Sequence, residues 1–273
     1  MDDIDLCLRG ERLYGDDFNT AEIAEWHADE AEAYAELGAG NAATYTYGYH
    51  AWNDYHAYRH LRGRTFSAVM GFGSAYGDEL LPIARQARQI TIVDPAAAFA
   101  DEAARRLASA TYVKPGPDGT LPLLGETFDL ITCLGVLHHI PNVSYVVAEL
   151  SRTLKAGGTM VVREPIVSMG DWRLPRKGVT KRERGIPLAL LDTILLKAGL
   201  TIERRALCGF PIVSWPLARL GWHAYNSHVA TVVDAWLAQL FAWNLRYHAT
   251  SVLRHFRPTA AFYILTKRSS PAA

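Results

Sequence analysis

Apolar positions cluster in the middle of the chain as short runs of strand length. Residues 66–70 (FSAVM), 90–93 (ITIV), 128–134 (FDLITCL) and 159–163 (TMVVR) are continuous rather than alternating, as expected of strands buried on both faces. Between them, 78–88 and the alanine-rich 96–109 have helical spacing, 143–154 is amphipathic, and Gly157-Gly158 reads as a turn. Strands alternating with helices predict a doubly wound, mainly parallel sheet covered on both sides.

The flanks differ. Asn19-Thr20 forms a capped start to an Ala/Glu-rich helix running to Leu37, which Gly38, Gly40 and Asn41 break. Residues 44–61 (TYTYGYHAWNDYHAYRHL) are rich in aromatics and histidine. Past Pro165 come a polar, basic connection over 166–184, a helix over 187–197 closed by Gly199, and a strand over 201–207. An aromatic-rich, mostly helical insertion (211–257) precedes a last strand over 260–266. The expected organisation is a helical cap over 1–64, a main domain over 65–268 with a helical insertion at about 211–258, and a tail over 269–273.

Composition narrows the function. Of 273 residues 49% are hydrophobic, enough for a packed core. Lys+Arg and Asp+Glu balance at 28 each, so the basic excess of nucleic-acid binders is missing and a small or neutral partner is favoured. Cys7, Cys133 and Cys208 are far apart, with no CxxC or His/Cys cluster, so no metal is expected and a reducing cytoplasm fits. The acidic start, MDDIDLCLRGE, does not resemble a signal peptide. The apolar stretch 229–243 is interrupted by Asp234 and Gln239, which suits a buried or interfacial amphipathic helix rather than a transmembrane span.

The sharpest motif is Val69-Met70-Gly71-Phe72-Gly73-Ser74-Ala75-Tyr76-Gly77, a strand running into glycines. Such a loop lets backbone approach a ligand, and Asp94-Pro95 ends the next strand, where a carboxylate can accept the ribose hydroxyls of a nucleoside. A nicotinamide dinucleotide or S-adenosylmethionine would satisfy both features.

The later motifs separate the two. LPLLGETFDLI at 121–131, LGVLHHIP at 134–141 and ELSRTLKAGG at 149–158, in this order and spacing, resemble class I S-adenosylmethionine-dependent methyltransferases. The likeness is to small-molecule enzymes of the kind found in ubiquinone and menaquinone biosynthesis. It covers Phe66 to Pro165, with weaker similarity at 186–207 and in the last strand. The resemblance implies a seven-stranded α/β sheet whose last strand inserts antiparallel. It implies that Gly71 and Gly73 pack against the methionine portion of the cofactor and that Asp94, beside Pro95, binds the ribose. Asp118 and Gly119 would approach the adenine, and Cys133, Leu134 and Gly135 the sulfonium, with S-adenosylhomocysteine as product. Two positions depart from the family: its acidic residue before the first glycine is Val69 here, and its third glycine is Ala75.

A sulfonium methyl is already activated, so transfer needs chiefly a well-placed nucleophile and, for a hydroxyl acceptor, a base. His138, His139 and Glu164 are the base candidates, lying just past the strands at 128–134 and 159–163. Tyr47, Tyr49 and His50 are expected in the acceptor pocket, under a lid made by the leading segment, and Arg173 with its basic neighbours could receive an anionic group. The expected reaction is O-methylation of a small molecule or glycan, by a chain for which a homodimer is allowed. Two alternatives stand beside it. A nicotinamide oxidoreductase is disfavoured by the GxGxxxG register and the lack of a Tyr-x-x-x-Lys pair; a non-catalytic cofactor-binding subunit is suggested by Val69 and Ala75.

Overall fold

Seven strands form one sheet in the computed structural model, which describes residues 3–38, 46–107, 110–174, 176 and 179–269. The strands are β1 (Phe66–Phe72), β2 (Ala87–Val93), β3 (Ala110–Val113), β4 (Phe128–Leu134), β5 (Leu154–Pro165), β6 (Leu200–Cys208) and β7 (Ala260–Lys267), in the order β3-β2-β1-β4-β5-β7-β6. All neighbours are parallel except at β7, which runs antiparallel to both β5 and β6.

The helices are α1 (Asp3–Leu8), α2 (Thr20–Gly38), α3 (His50–His56), α4 (Leu81–Ala84), α5 (Ala100–Arg106), α6 (Val143–Thr153), α7 (Leu188–Lys197), α8 (Pro211–Arg219) and α9 (His228–Leu240). Strand alternation divides the core in two. Met70, Ile131, Cys133 and Val162 point toward α6 and α7, whereas Val69, Leu130, Leu134 and Val161 point toward Trp52, Tyr58 and Leu80. The leading segment serves both faces: Leu13 joins the first cluster, Trp52, Tyr58 and Leu61 the second.

Two local expectations are corrected, and one strand was not foreseen. The helix expected over 78–88 is a single 3-10 turn followed by the four-residue α4, because β2 already begins at Ala87, opposite Phe66. Its second and third residues, Arg88 and Gln89, are polar and solvent-facing, which hid its start from an apolar-run reading. The edge strand β3 (ATYV) is short and no more than half-buried, so no continuous apolar run marks it. Gly157 and Gly158 lie within β5: Leu154 pairs with Phe128 and Thr159 with Leu130, so the residues between them bulge out of register. Gly40, Asn41, Tyr45, Lys177 and the tail from Ser270 lie outside the described residues.

In the insertion, Ser227 caps α9 by accepting the Ala230 amide. Asp234, which interrupts the apolar stretch, is fully buried and accepts the amides of Gly209 and Phe210 and the Tyr225 hydroxyl. Tyr225 stacks on Trp52 of α3, with centroids 4.0 Å apart, and Asn226 bonds the backbone at Tyr47 and His50. The insertion and the aromatic segment thus form one roof.

Candidate active site

The glycine loop turns at the carboxyl end of β1, and its glycines are required by the chain's own packing. A Cβ on Gly73, whose φ is +67°, would lie 2.5 Å from the Val136 side chain, and one on Gly71 would lie 2.3 Å from Ser74 Oγ. Asp94 ends β2 with its carboxylate turned back to this loop, accepting the Ala75 amide at 3.1 Å and the Ala96 amide at 2.9 Å. It is buried, and burial raises its carboxyl above the ordinary range despite the two amides. Pro95 beside it is exposed. Asp118 sits in the turn after β3, held below the usual carboxylate range by the Thr120 amide, and Gly119 next to it leaves no room for a Cβ because of Val146.

A second cluster sits on the Trp52 side of the sheet. Gly71 pairs with Thr132 across the β1–β4 ladder. Over this pair, Glu79 Oε1 accepts the Ser74 hydroxyl at 2.6 Å and the Thr132 hydroxyl at 3.2 Å. Burial pushes the Glu79 carboxyl up to about 7, against these bonds and the nearby Arg163 charge. Arg163, buried on β5, donates to Asn53 Oδ1 and to the Leu134 carbonyl, each at 2.9 Å, and stacks under Tyr49 at 4.4 Å. Tyr47 closes the group by accepting from Asn53 Nδ2 at 2.7 Å. Sequence reasoning missed Glu79 and Arg163. The signal for Glu79 was the carboxylate missing at Val69, which directs attention to another acid near the loop.

A third cluster lies on the opposite side. Glu164 is fully buried and accepts the amides of Val136, Leu137 and His138 as well as His138 Nδ1 at 2.7 Å. Burial opposes its ionisation, but the His138 bond and these amides outweigh it and hold the carboxyl below its usual range. Burial and neighbouring His139 lower the His138 imidazole. A neutral ring giving its Nδ1 proton to Glu164 leaves a lone pair on Nε2, which faces Glu183 Oε1 at 3.6 Å, too far for a hydrogen bond. The His138 ring also touches the site's glycine wall: a Cβ on Gly135 would lie 3.8 Å from its Cε1. His139 is held by Glu30 of α2 at 3.0 Å. His138, His139 and Glu183 offer ligand atoms within 4.8 Å of one another, a grouping able to share a proton or a cation that no sequence spacing announced.

Of the other residues singled out from sequence, some border these clusters and some stand apart from them. Cys133 points into the core toward α6 and α7, where burial drives its thiol far up; Leu134 and Gly135, next along the chain, hold Arg163 through the Leu134 carbonyl and the Gly135 amide. His50 packs edge-on against Tyr47, within the roof. Arg173 forms an ion pair with Asp171 and is not among the three clusters. Its basic neighbours are likewise engaged: Lys181 and Arg182 pair with Asp29 of α2, and Arg176 donates to four backbone carbonyls. Arg184, fully buried, donates to the carbonyls of Tyr14, Leu137, His138, Ile140 and Pro141, pinning the loop that carries the histidines.

Residues 70–162 match the methyltransferase domain family. No curated protein is detectably similar to this chain in sequence. Among solved structures, the N-methyltransferase NodS of Bradyrhizobium japonicum, in complex with S-adenosyl-L-homocysteine, is similar with a TM-score of 0.55 at 14% identity, over 89% of this chain and 98% of its own. An S-adenosylmethionine-dependent methyltransferase from Mesorhizobium loti gives 0.52 at 17% identity, over 78% of this chain and 97% of its own. The cyclase SpnF gives 0.58 at 18% identity, over 89% and 94%. The sheet separates the remaining alternative: a dinucleotide fold orders its strands 3-2-1-4-5-6, whereas here an antiparallel seventh strand enters between the fifth and sixth. Residues 70–162 thus carry a methyltransferase domain, set in a seven-stranded sheet that shares its fold with solved S-adenosylmethionine-dependent methyltransferases.

Proposed function

We propose that the chain methylates a hydroxyl oxygen of a small molecule or glycan, with His138 as the base. The observation that carries this reading is His138 itself: a buried imidazole beside Gly135, its Nδ1 2.7 Å from Glu164, its Nε2 3.6 Å from Glu183, and its pKa lowered by burial and by His139. Such a ring is suited to take a proton from an alcohol. S-adenosylmethionine, when bound, supplies the activated methyl group. Asp94 would hold its ribose, and Asp118 with Gly119 would border the adenine.

The amino-acid end of the cofactor would meet Glu79 and Arg163. An ammonium suits Glu79, whose Oε1 takes two hydroxyls while Oε2 accepts no hydrogen bond from the described residues. A carboxylate suits the Arg163 guanidinium. Glu79 thereby replaces the acid missing at Val69. Tyr47, Tyr49 and His50 would line the acceptor side under the roof.

The test is product formation. Purified protein with S-adenosylmethionine and a panel of sugars, phenols and amines should yield S-adenosylhomocysteine and a methyl ether, read by mass spectrometry. Methylation of amines alone would overturn the oxygen assignment. Tight cofactor binding without product from any acceptor would favour a non-catalytic subunit.

A further inference from the structure

The segment holding α8 and α9 carries an apolar surface that methyl transfer does not use. Of the eighteen large hydrophobic side chains exposed among the described residues, twelve lie between Ile212 and Phe256. They include Trp215, Trp222, Trp236 and Trp243, at 58%, 68%, 74% and 74% exposure. An ordinary surface helix turns its apolar stripe inward. In α9 the inward face is Thr231, Asp234 and Ala238, and Val229, Val233, Trp236 and Leu240, spaced as one helical face, point to solvent. α8 buries none of its residues. The turns after α9 are tied together: Phe241 contacts Trp243 and the buried Phe210, and Asn244 donates to the carbonyls of Leu253 and Phe256. An exposed apolar area of this extent marks an interaction site.

Charge selects the occupant. Residues 211–256 contain one carboxylate, Asp234, and it is buried and fully engaged. The exposed ionisable groups of the segment are Arg219, Arg246, Arg254, His223, His228 and His255. At one rim Asp5 and Glu11 line a cavity with Arg246 and Arg254. A second copy would bring the same basic residues to the contact, and the segment itself offers no exposed acid to pair with them. An anionic bilayer satisfies both features, since tryptophan favours the headgroup level and arginine the lipid phosphates. No described helix is long and apolar enough to cross a membrane, so the contact is peripheral.

We propose that the face formed by α8, α9 and the turns after them rests on an anionic bilayer, tryptophans at headgroup depth and arginines against phosphate. The same segment supplies Tyr225 to the roof over the site, so seating it would turn the roof toward the lipid.

The test is flotation of the full chain with vesicles of phosphatidylglycerol and phosphatidylcholine in equal parts, and with phosphatidylcholine alone. The chain should float with the anionic vesicles, and its tryptophan emission should shift to shorter wavelength. The Trp215→Ser/Trp236→Ser double variant, altered only at exposed positions, should partition about tenfold less, with an unchanged circular dichroism spectrum. Arg219→Gln should weaken binding about fivefold on anionic vesicles and leave the neutral ones unaffected. Failure to float with anionic vesicles, or equal partitioning of the double variant, overturns the proposal. Self-association that the double variant abolishes, without vesicle binding, also overturns it and makes a second copy the occupant.

Discussion

Arg163 and Glu164 are neighbours on β5, yet they serve opposite sides of the sheet. Strand alternation sends Arg163 toward Trp52, where it meets Asn53, Tyr49 and the Leu134 carbonyl, and sends Glu164 toward the loop carrying His138. The first side has one buried acid near neutrality, Glu79, beside a guanidinium and two hydroxyls. The second has an acid whose pKa the His138 bond and backbone amides lower against burial, and a histidine whose pKa burial lowers. Environment alone separates the two carboxylates. Under the proposed reading the first side binds the cofactor's charged end and the second handles the acceptor's proton, with one strand setting the distance between them.

That division can be broken by substitution. The largest effect is expected on the proton side: His138→Gln should lower turnover by about 10²–10⁴-fold, with the alkaline-favouring limb of the pH–rate profile lost. Near-parental turnover in this variant would remove His138 from the chemistry. A smaller effect is expected at the ribose. Asp94→Asn keeps the bulk but removes the charge and should weaken S-adenosylmethionine binding by about ten- to a hundredfold in calorimetry. Unchanged affinity in a folded variant would misplace the nucleoside.

The smallest effect is on stability and follows from Glu79. Its folded-state carboxyl lies near 7, above an ordinary value of 4.5. The folded chain therefore holds this proton more tightly than the unfolded chain does. The contribution is full below about pH 4.5 and is lost as pH rises through about 7, a swing on the order of 3 kcal/mol. Glu79→Gln cannot ionise, so its melting temperature should gain on the parent's across that window, by several degrees at pH 8. Parallel melting curves from pH 5 to pH 8 would contradict the assignment.

Much of the frame was legible in the sequence because it rests on periodicity and backbone chemistry. The buried strands are continuous apolar runs, the glycine loop and Asp94 sit at strand ends, and His138 follows β4. What stayed hidden depends on contacts between distant segments. Glu79 meets Thr132, Arg163 meets Asn53, and His138 meets Glu183, each pair far apart in the chain. The basic loop looked like an anion receptor because sequence cannot show Asp29 of α2 folding against Arg182. The glycines of 71 and 73 were legible as necessary, and the chain's own packing adds a reason: Ser74 and Val136 occupy the space where their side chains would be. The leading segment is also packed into the fold, with Trp26, Tyr58 and Leu61 buried. Its removal would strip both faces of the sheet.

The most direct test of the two-sided account is a calorimetric titration of S-adenosylhomocysteine into the parent, Glu79→Gln and His138→Gln at pH 8, where Glu79 is ionised. The product retains the ammonium and carboxylate of the amino-acid end and lacks the transferable methyl. The account predicts that Glu79→Gln binds about tenfold or more weakly, while His138→Gln binds as the parent does. Weakened binding in His138→Gln with parental affinity in Glu79→Gln would reverse the two sides and contradict it.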